Sequence, residues 1–260
     1  MNAMRLTSSA PSLRQHTITA PAPAWRHPDH IVLETCVEDI EGVRISARAG
    51  ADRAELCDNL TAAGTTPSIG TIEAAIFAAA EQVEQRRAQA GPYWADKADA
   101  AAPFGLRVII RPRGGSFVYD ADEGRAMIAD VRRIASLALE MAEFTRPQAT
   151  GGGRGQLPPA VDLGFVVGAL TEDGTIDRGL VRLLVDMANG APVTFHRAFD
   201  QCRDTVEAYG DLEGLGVRYV LTSGAAQTAA DGASVIAGLV ASGGPTVVAA
   251  GAVRPDGLVD

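Results

Sequence analysis

Short aliphatic runs alternate along the chain with longer stretches in which apolar residues recur at helical spacing. The first pair is a strand over 31–37, Ile-Val-Leu-Glu-Thr-Cys-Val, and a helix over 38–49 that ends at Gly50. The pattern then repeats. Further strands are predicted at 51–57, 105–112, 161–168, within 192–200, at 218–224 and at 246–253, and further helices at 71–87, 121–143, 176–188, 205–215 and 229–241.

Seven steps of strand followed by helix or loop predict a parallel sheet, because each parallel return needs a crossover connection. Their regularity favours an α/β fold of the TIM (β/α)8-barrel type over an open doubly wound sheet. The first strand runs into Cys36-Val-Glu-Asp39, so the glycine fingerprint of a dinucleotide-binding fold is missing there. The sequence stops where an eighth strand is expected. We therefore expect either a C-terminal truncation or an open barrel, whose exposed edge would favour a homodimer or higher homo-oligomer.

The domain boundaries follow from composition. Residues 1–30 carry four prolines among small polar residues and lack the apolar core of a secretory signal, which predicts a disordered tail. Residues 31–260 form one predicted barrel domain, with inserted loops at about 88–104 and 145–160.

Charge and cysteine content limit the function further. A formal net charge of −9 argues against nucleic acid or an anionic membrane as the main partner. No apolar run approaches the roughly 20 residues of a membrane span. Three cysteines are too few and odd in number for a disulfide framework, so a reducing cytoplasm is expected.

Ionisable residues cluster at the predicted strand ends, where parallel α/β proteins bind ligands. The fifth strand ends in His196, Arg197 and Asp200, and Glu34 and Glu55 lie on the first two strands. Buried glutamates need matching charge. Arg111 and Arg197 are the first candidates for it, and Arg53, Arg107 and Arg113 are further ones. A hypothetical catalytic pocket would then contain Glu34, Glu55, Arg111, His196 and Arg197, whereas Asp200 is expected to be the N-cap of the next helix.

The cysteines allow two interpretations. A small apolar core thiol is the ordinary one. Alternation places Cys36 on the face of Glu34 and Cys57 on the face of Glu55, at matched ends of neighbouring strands, where two thiolates could hold Cu(I). Cys202 has no evident partner.

Several motifs occur together, in order, from Ile31 to about Asp260. They are Leu-Glu-Thr-Cys-Val (33–37), Gly-Ala-Asp-Arg-Ala-Glu-Leu-Cys (50–57), Gly-Thr-Thr-Pro-Ser-Ile-Gly (64–70), Ile-Arg-Pro-Arg-Gly-Gly (110–115), Thr-Phe-His-Arg-Ala-Phe-Asp (194–200) and Leu-Thr-Ser-Gly (221–224). This combination resembles the CutC copper homeostasis family.

The resemblance implies a cytoplasmic TIM-barrel protein that is associated with copper tolerance and trafficking and binds copper through Cys36 and Cys57. The chain departs from the family in reading Ala250-Gly-Ala-Val253 where the family has a glycine run, which bears on a possible phosphate site there.

Three functions remain open from the sequence. The first is Cu(I) binding or trafficking in copper homeostasis. The second is a barrel enzyme that acts on a small anionic, sugar- or phosphate-like metabolite, with Arg111 and Arg197 holding the anion and Glu34 or Glu55 with His196 as acid and base. The third is a scaffold or regulatory protein whose pocket is idle.

Overall fold

The computed structural model describes residues 31–145 and 159–254. Seven parallel strands form one sheet in the order of the chain. They are β1 (Glu34–Val37), β2 (Arg53–Leu56), β3 (Phe104–Ile109), β4 (Val161–Val167), β5 (Val193–Phe195), β6 (Tyr219–Thr222) and β7 (Thr246–Ala249).

Helices connect these strands. They are α1 (Ile40–Ala49), α2 (Ile69–Ala90), α3 (Ala98–Ala101), α4 (Ala121–Phe144), α5 (Arg178–Met187), α6 (Thr205–Gly214) and α7 (Ala233–Ser242), with short 3-10 turns at Leu60–Ala62, Trp94–Asp96 and Arg197–Gln201. Local sequence sets several of their ends. The Asp39 side chain accepts from the Gly42 N–H to begin α1, and Gly50 ends that helix with φ at 92°.

The sheet is curled like a barrel wall. The Arg53 guanidinium on β2 lies 4.6 Å from the centre of the Tyr219 ring on β6. In a flat sheet these strands, four places apart, would be about 19 Å from each other. The curl therefore brings side chains from distant strands together inside the barrel, as the predicted fold class requires.

The two sides of the curled sheet have different composition. Aliphatic and aromatic residues pack between strands and helices, among them Leu56, Ile72 and Phe165, which are fully buried. The enclosed side instead holds charged groups, including Arg53 and Arg107. Gly105 makes room for one of them, because a Cβ there would lie 2.8 Å from the Cβ of Arg53. The interior is therefore a polar one.

The structure confirms the predicted (β/α) alternation and parallel sheet, with most element ends shifted by a few residues. Helix α2 continues to Ala90, and the predicted inserted loop at about 88–104 contains a 3-10 turn and α3. Most of the loop at 145–160 and the predicted tail over 1–30 lie outside the described residues. Within the described ranges, β1 and β7 each pair on one side only. Self-association through such an edge stays a prediction.

None of the helices in the described part of the chain has both the length and the apolar character needed to cross a bilayer.

Candidate functional site

Two cysteines meet where β1 and β2 end. Cys36 lies in β1 and Cys57 directly follows β2, and the Cys57 N–H donates to the Val37 carbonyl as the strand pairing continues. Their sulfurs are 3.9 Å apart. Cys36 is exposed, whereas Cys57 is 2% exposed. The pair thus has one thiol open to solvent and one behind it.

A carboxyl group completes this cluster. Ligand atoms of Cys36, Glu55 and Cys57 all lie within 4.8 Å of one another. Glu55 is buried, and no basic side chain pairs with it among the residues that the structure describes. Burial, followed by the negative charges of Cys36 and Glu34, raises the pKa of Glu55 well above its usual value. The neutral form of the carboxyl group is therefore favoured, and this form can donate to the Cys36 sulfur.

The two thiols have opposite electrostatics. The hydrogen bond with Cys57, aided by one from Glu55, lowers the pKa of the Cys36 thiol although burial opposes it. The same hydrogen bond together with burial raises the pKa of Cys57. Cys36 is therefore the thiol of the pair that loses its proton more readily, and Cys57 can then donate to it.

Glu34 is not a member of this cluster, although its charge acts on Glu55. It is the first residue of β1, at the opposite end of the strand from the cysteine edge, and it forms an ion pair with Arg53, the first residue of β2 and its partner in the strand register. Both side chains are less than 10% exposed. The expectation that Glu34 lies at the C-terminal edge, with Arg111 or Arg197 as its first candidate partners, is wrong, because the strand begins at Glu34; its partner is Arg53, one of the further candidates.

Arg111 does not pair with a glutamate either. Its Nη1 donates to the carbonyls of Ala62, Ala63 and Gly64, and its Nη2 donates to the carbonyl of Gly115. Arg111 as a whole is 3% exposed. It therefore holds two loops together at the mouth of the barrel while its charge has no carboxylate partner within the described residues.

His196 is buried beside Arg111. Its Nδ1 accepts a hydrogen bond from the Ala198 N–H, so the ring proton is on Nε2. Burial and the charge of Arg111 lower the pKa of His196 to about 3. The ring lies against the backbone at Gly168, where a Cβ would come 2.2 Å from the ring. His196 is therefore a neutral donor, which does not fit the predicted role of a base at neutral pH.

Arg197 and Asp200 belong to a separate network at the end of β6. Arg197 donates from Nε to Asp200 and from Nη2 to the Ser223 hydroxyl. Asp200 also accepts from the Thr222 hydroxyl and from the N–H groups of Ser223 and Ala225. Burial alone would raise the pKa of Asp200, but these hydrogen bonds outweigh it and lower that pKa.

The expectation that Asp200 is a helix N-cap is wrong, since Asp204 caps α6 by accepting from Val206 and Glu207. The pocket expected from the sequence is thus divided. Glu55 lies with the cysteines, His196 lies with Arg111, and Glu34 and Arg197 have partners of their own.

Sequence reasoning also missed Phe117 and Tyr119, which follow β3. The Phe117 ring centre lies 4.9 Å from both the His196 ring centre and the Arg111 Cζ. The only signal for them was two aromatic residues in a loop that follows a strand ending in arginine.

Comparisons with known proteins agree on one family. The CutC family model matches residues 31–144 and 160–259. A CutC family protein of Mesorhizobium japonicum is 35% identical over 220 residues, which are 85% of this chain and 67% of that protein. The copper homeostasis protein cutC homolog of Homo sapiens is 34% identical over 209 residues, 80% of this chain and 60% of its own length.

A solved structure gives the same result. The crystal structure of CutC from Streptococcus agalactiae matches with a TM-score of 0.58 and 29% identity, over 82% of each chain.

Proposed function

The chain belongs to the CutC family, as its motifs predicted, and we propose that it binds Cu(I) for copper homeostasis through the sulfurs of Cys36 and Cys57. One observation carries the proposal: two thiols and a buried carboxyl group without a basic partner in the described residues lie within 4.8 Å of one another. Such a group of acids is complementary to a cation. Thiolates select a soft one, and Cu(I) is the soft ion that the name of the human relative suggests.

The spacing of the sulfurs suits an ion between them. Two metal–thiolate bonds of about 2.3 Å, the length seen at zinc, allow up to about 4.6 Å between the sulfurs. The observed 3.9 Å falls within that limit. An ion could therefore be held by both sulfurs without movement of the strands.

The backbone disfavours the competing product, a disulfide. Cys36 is in register with Glu55, so Cys57 lies two residues further along its strand. One strand spacing of about 4.8 Å and a rise of about 6.6 Å separate the two Cα atoms by roughly 8 Å. A disulfide needs them within about 7 Å. The pair is therefore better suited to bridging an ion than to forming a bond.

The difference in exposure between the two thiols gives a path for the ion. Cu(I) would first meet the exposed Cys36, whose lowered pKa favours the thiolate, and then Cys57, whose proton is displaced as the second bond forms. Neutral Glu55 adds no charge to the complex and can donate to the Cys36 sulfur. Both thiols must stay reduced, which is consistent with the cytoplasm as the proposed location.

Anaerobic titration of the copper-free protein with Cu(I) against a competing chelator tests this function. We expect one tightly bound Cu(I) per chain. Cys36→Ser and Cys57→Ser should each reduce affinity by more than the roughly 10–100-fold that loss of an outer-shell partner costs. Cys202→Ser is the matched control, because that half-buried thiol donates to the Ala198 carbonyl and, among the described residues, does not belong to the Cys36, Glu55 and Cys57 cluster. Unchanged affinity in the Cys36→Ser, Cys57→Ser double variant would remove the thiol site.

The alternative function, an enzyme with a Glu/Arg/His pocket, has less support. Its acid Glu34 lies at the other end of β1 in an ion pair, and its base His196 is a weak one, with a pKa of about 3 and with Nδ1 already occupied. The surrounding groups favour binding of a ligand over proton transfer.

A further inference from the structure

A buried arginine at the mouth of the barrel has no counterion. The four hydrogen bonds of the Arg111 Nη atoms all go to backbone carbonyls, and no carboxylate contacts it in the described ranges 31–145 and 159–254. Buried charges are usually paired, as Arg53 and Arg107 are with Glu34 and Asp162 here. The unpaired guanidinium is therefore an exception in this interior.

Three polar atoms near this charge also have no partner. Within the described residues, the Arg111 Nε, the Tyr119 hydroxyl and the His196 Nε2 are buried without a hydrogen bond. Arg111 and His196 are 3% and 4% exposed. Since the His196 Nδ1 accepts from Ala198, its Nε2 carries a proton and can only donate. Buried polar groups are normally satisfied, so the two nitrogens lack an acceptor, and the hydroxyl still has a proton to donate.

The three residues belong to one place in the fold. Arg111 and His196 both contact the Phe117 ring, each at 4.9 Å. The charge of Arg111 also acts on Tyr119 and on His196, which places the guanidinium near both. They lie beyond the C-terminal ends of β3 and β5, on the edge where parallel barrels bind ligands.

We infer that a small oxyanion, the carboxylate or phosphate group of a metabolite, binds at Arg111 and accepts hydrogen bonds from Tyr119 and His196. A uniformly donating set around an unpaired positive charge recognises oxygen atoms that carry negative charge. A metal cation would be repelled by Arg111, and a neutral water would leave its charge unmatched. This site uses none of the groups of the cysteine site.

The test measures binding of two simple probes, inorganic phosphate and acetate, by calorimetry and by thermal shift in chloride buffer of constant ionic strength. We expect saturable binding and a rise in Tm with at least one of the two, and the preferred probe identifies the group recognised. Tyr119→Phe removes only the hydroxyl and should weaken that binding by about 10-fold or more, as loss of a hydrogen bond to a charged group does. Arg111→Lys is a poorer test, because the guanidinium also holds the loop at 62–64.

Tyr93→Phe is the matched control, because Tyr93 is 74% exposed and outside the proposed site, and it should bind as the wild type does. Cys36→Ser should also bind the probe normally. Failure of both probes to bind saturably, or equal affinity in wild type and Tyr119→Phe, would overturn the inference and leave an ordered water as the occupant.

Discussion

Glu34 and Glu55 lie on neighbouring strands with their side chains on the enclosed side of the sheet, yet only Glu34 has an arginine beside it. The same contrast separates two regions of the barrel. In the region near the strand starts, Arg53 pairs with Glu34 and Arg107 pairs with Asp162. Towards the strand ends, Glu55 and Arg111 are buried without a charged partner among the described residues.

This contrast separates charges that maintain the fold from charges that fit a ligand. The two charges of a buried ion pair match each other without a ligand, and removal of one member leaves the other unmatched. A buried group without a partner either becomes neutral, as Glu55 does, or is complementary to something that binds. On this basis the place of Arg111, beyond β3 and β5, is suited to an anion, whereas at the β1–β2 edge a cation would be held by the thiols of Cys36 and Cys57 beside neutral Glu55.

Breaking a paired charge should have the largest effect on stability. Glu34→Ala leaves Arg53 buried without its carboxylate and should lower the free energy of unfolding by about 3–5 kcal/mol, measured by urea denaturation. Glu41→Ala is the control, since the Glu41–Arg44 pair is exposed and its loss should cost less than about 0.5 kcal/mol. Similar losses in both variants would show that the buried Glu34–Arg53 pair contributes no more to stability than an exposed pair.

The sequence predicted the fold well because alternation and helical spacing are local properties. It named Arg53 only as a further candidate partner for the glutamates, because the charge pairs depend on register and on curl. Glu34 meets Arg53 because β1 and β2 align those positions. Arg111 donates to the carbonyls of residues 62–64 because that loop folds over the end of β3. Residue spacing in the sequence does not predict the course of that loop. Parity did bring Cys36 and Cys57 together correctly, since Cys36 lies in β1 and Cys57 directly follows the paired strand β2.

A pH titration of stability tests the comparison at His196, which lies beside the unpaired Arg111. His196 has a folded pKa of about 3, below the ordinary 6.5, so only the unfolded chain gains its proton as pH falls below about 6.5. The contribution of neutral His196 to the free energy of unfolding is therefore fully present above pH 6.5 and is lost as the pH falls. The His196 contribution to that loss should be about 1–2 kcal/mol between pH 6.5 and 5.

His196→Gln cannot titrate and should lose less stability over this range in chloride buffer. The other three histidines of the chain precede residue 31 and are present in both proteins, so the difference between the two curves isolates His196. Parallel curves for the wild type and the variant would mean that His196 is protonated in the folded protein.

The smallest expected effect is at Glu55, and its sign distinguishes the two regions. Because the folded pKa of Glu55 is raised, its neutral form is favoured and stability falls as pH rises above about 4.5 through that pKa.

Glu55→Gln is a neutral side chain of the same size, so copper-free protein at neutral pH should be within about 1 kcal/mol of wild type, or more stable. Glu34→Gln, made and measured alongside by urea denaturation, should destabilise clearly, because there the negative charge is required by Arg53. A loss at Glu55→Gln as large as at Glu34→Gln would show that Glu55 is ionised and matched by a cation within the folded chain. The β1–β2 edge would then no longer differ from the region of paired charges near the strand starts.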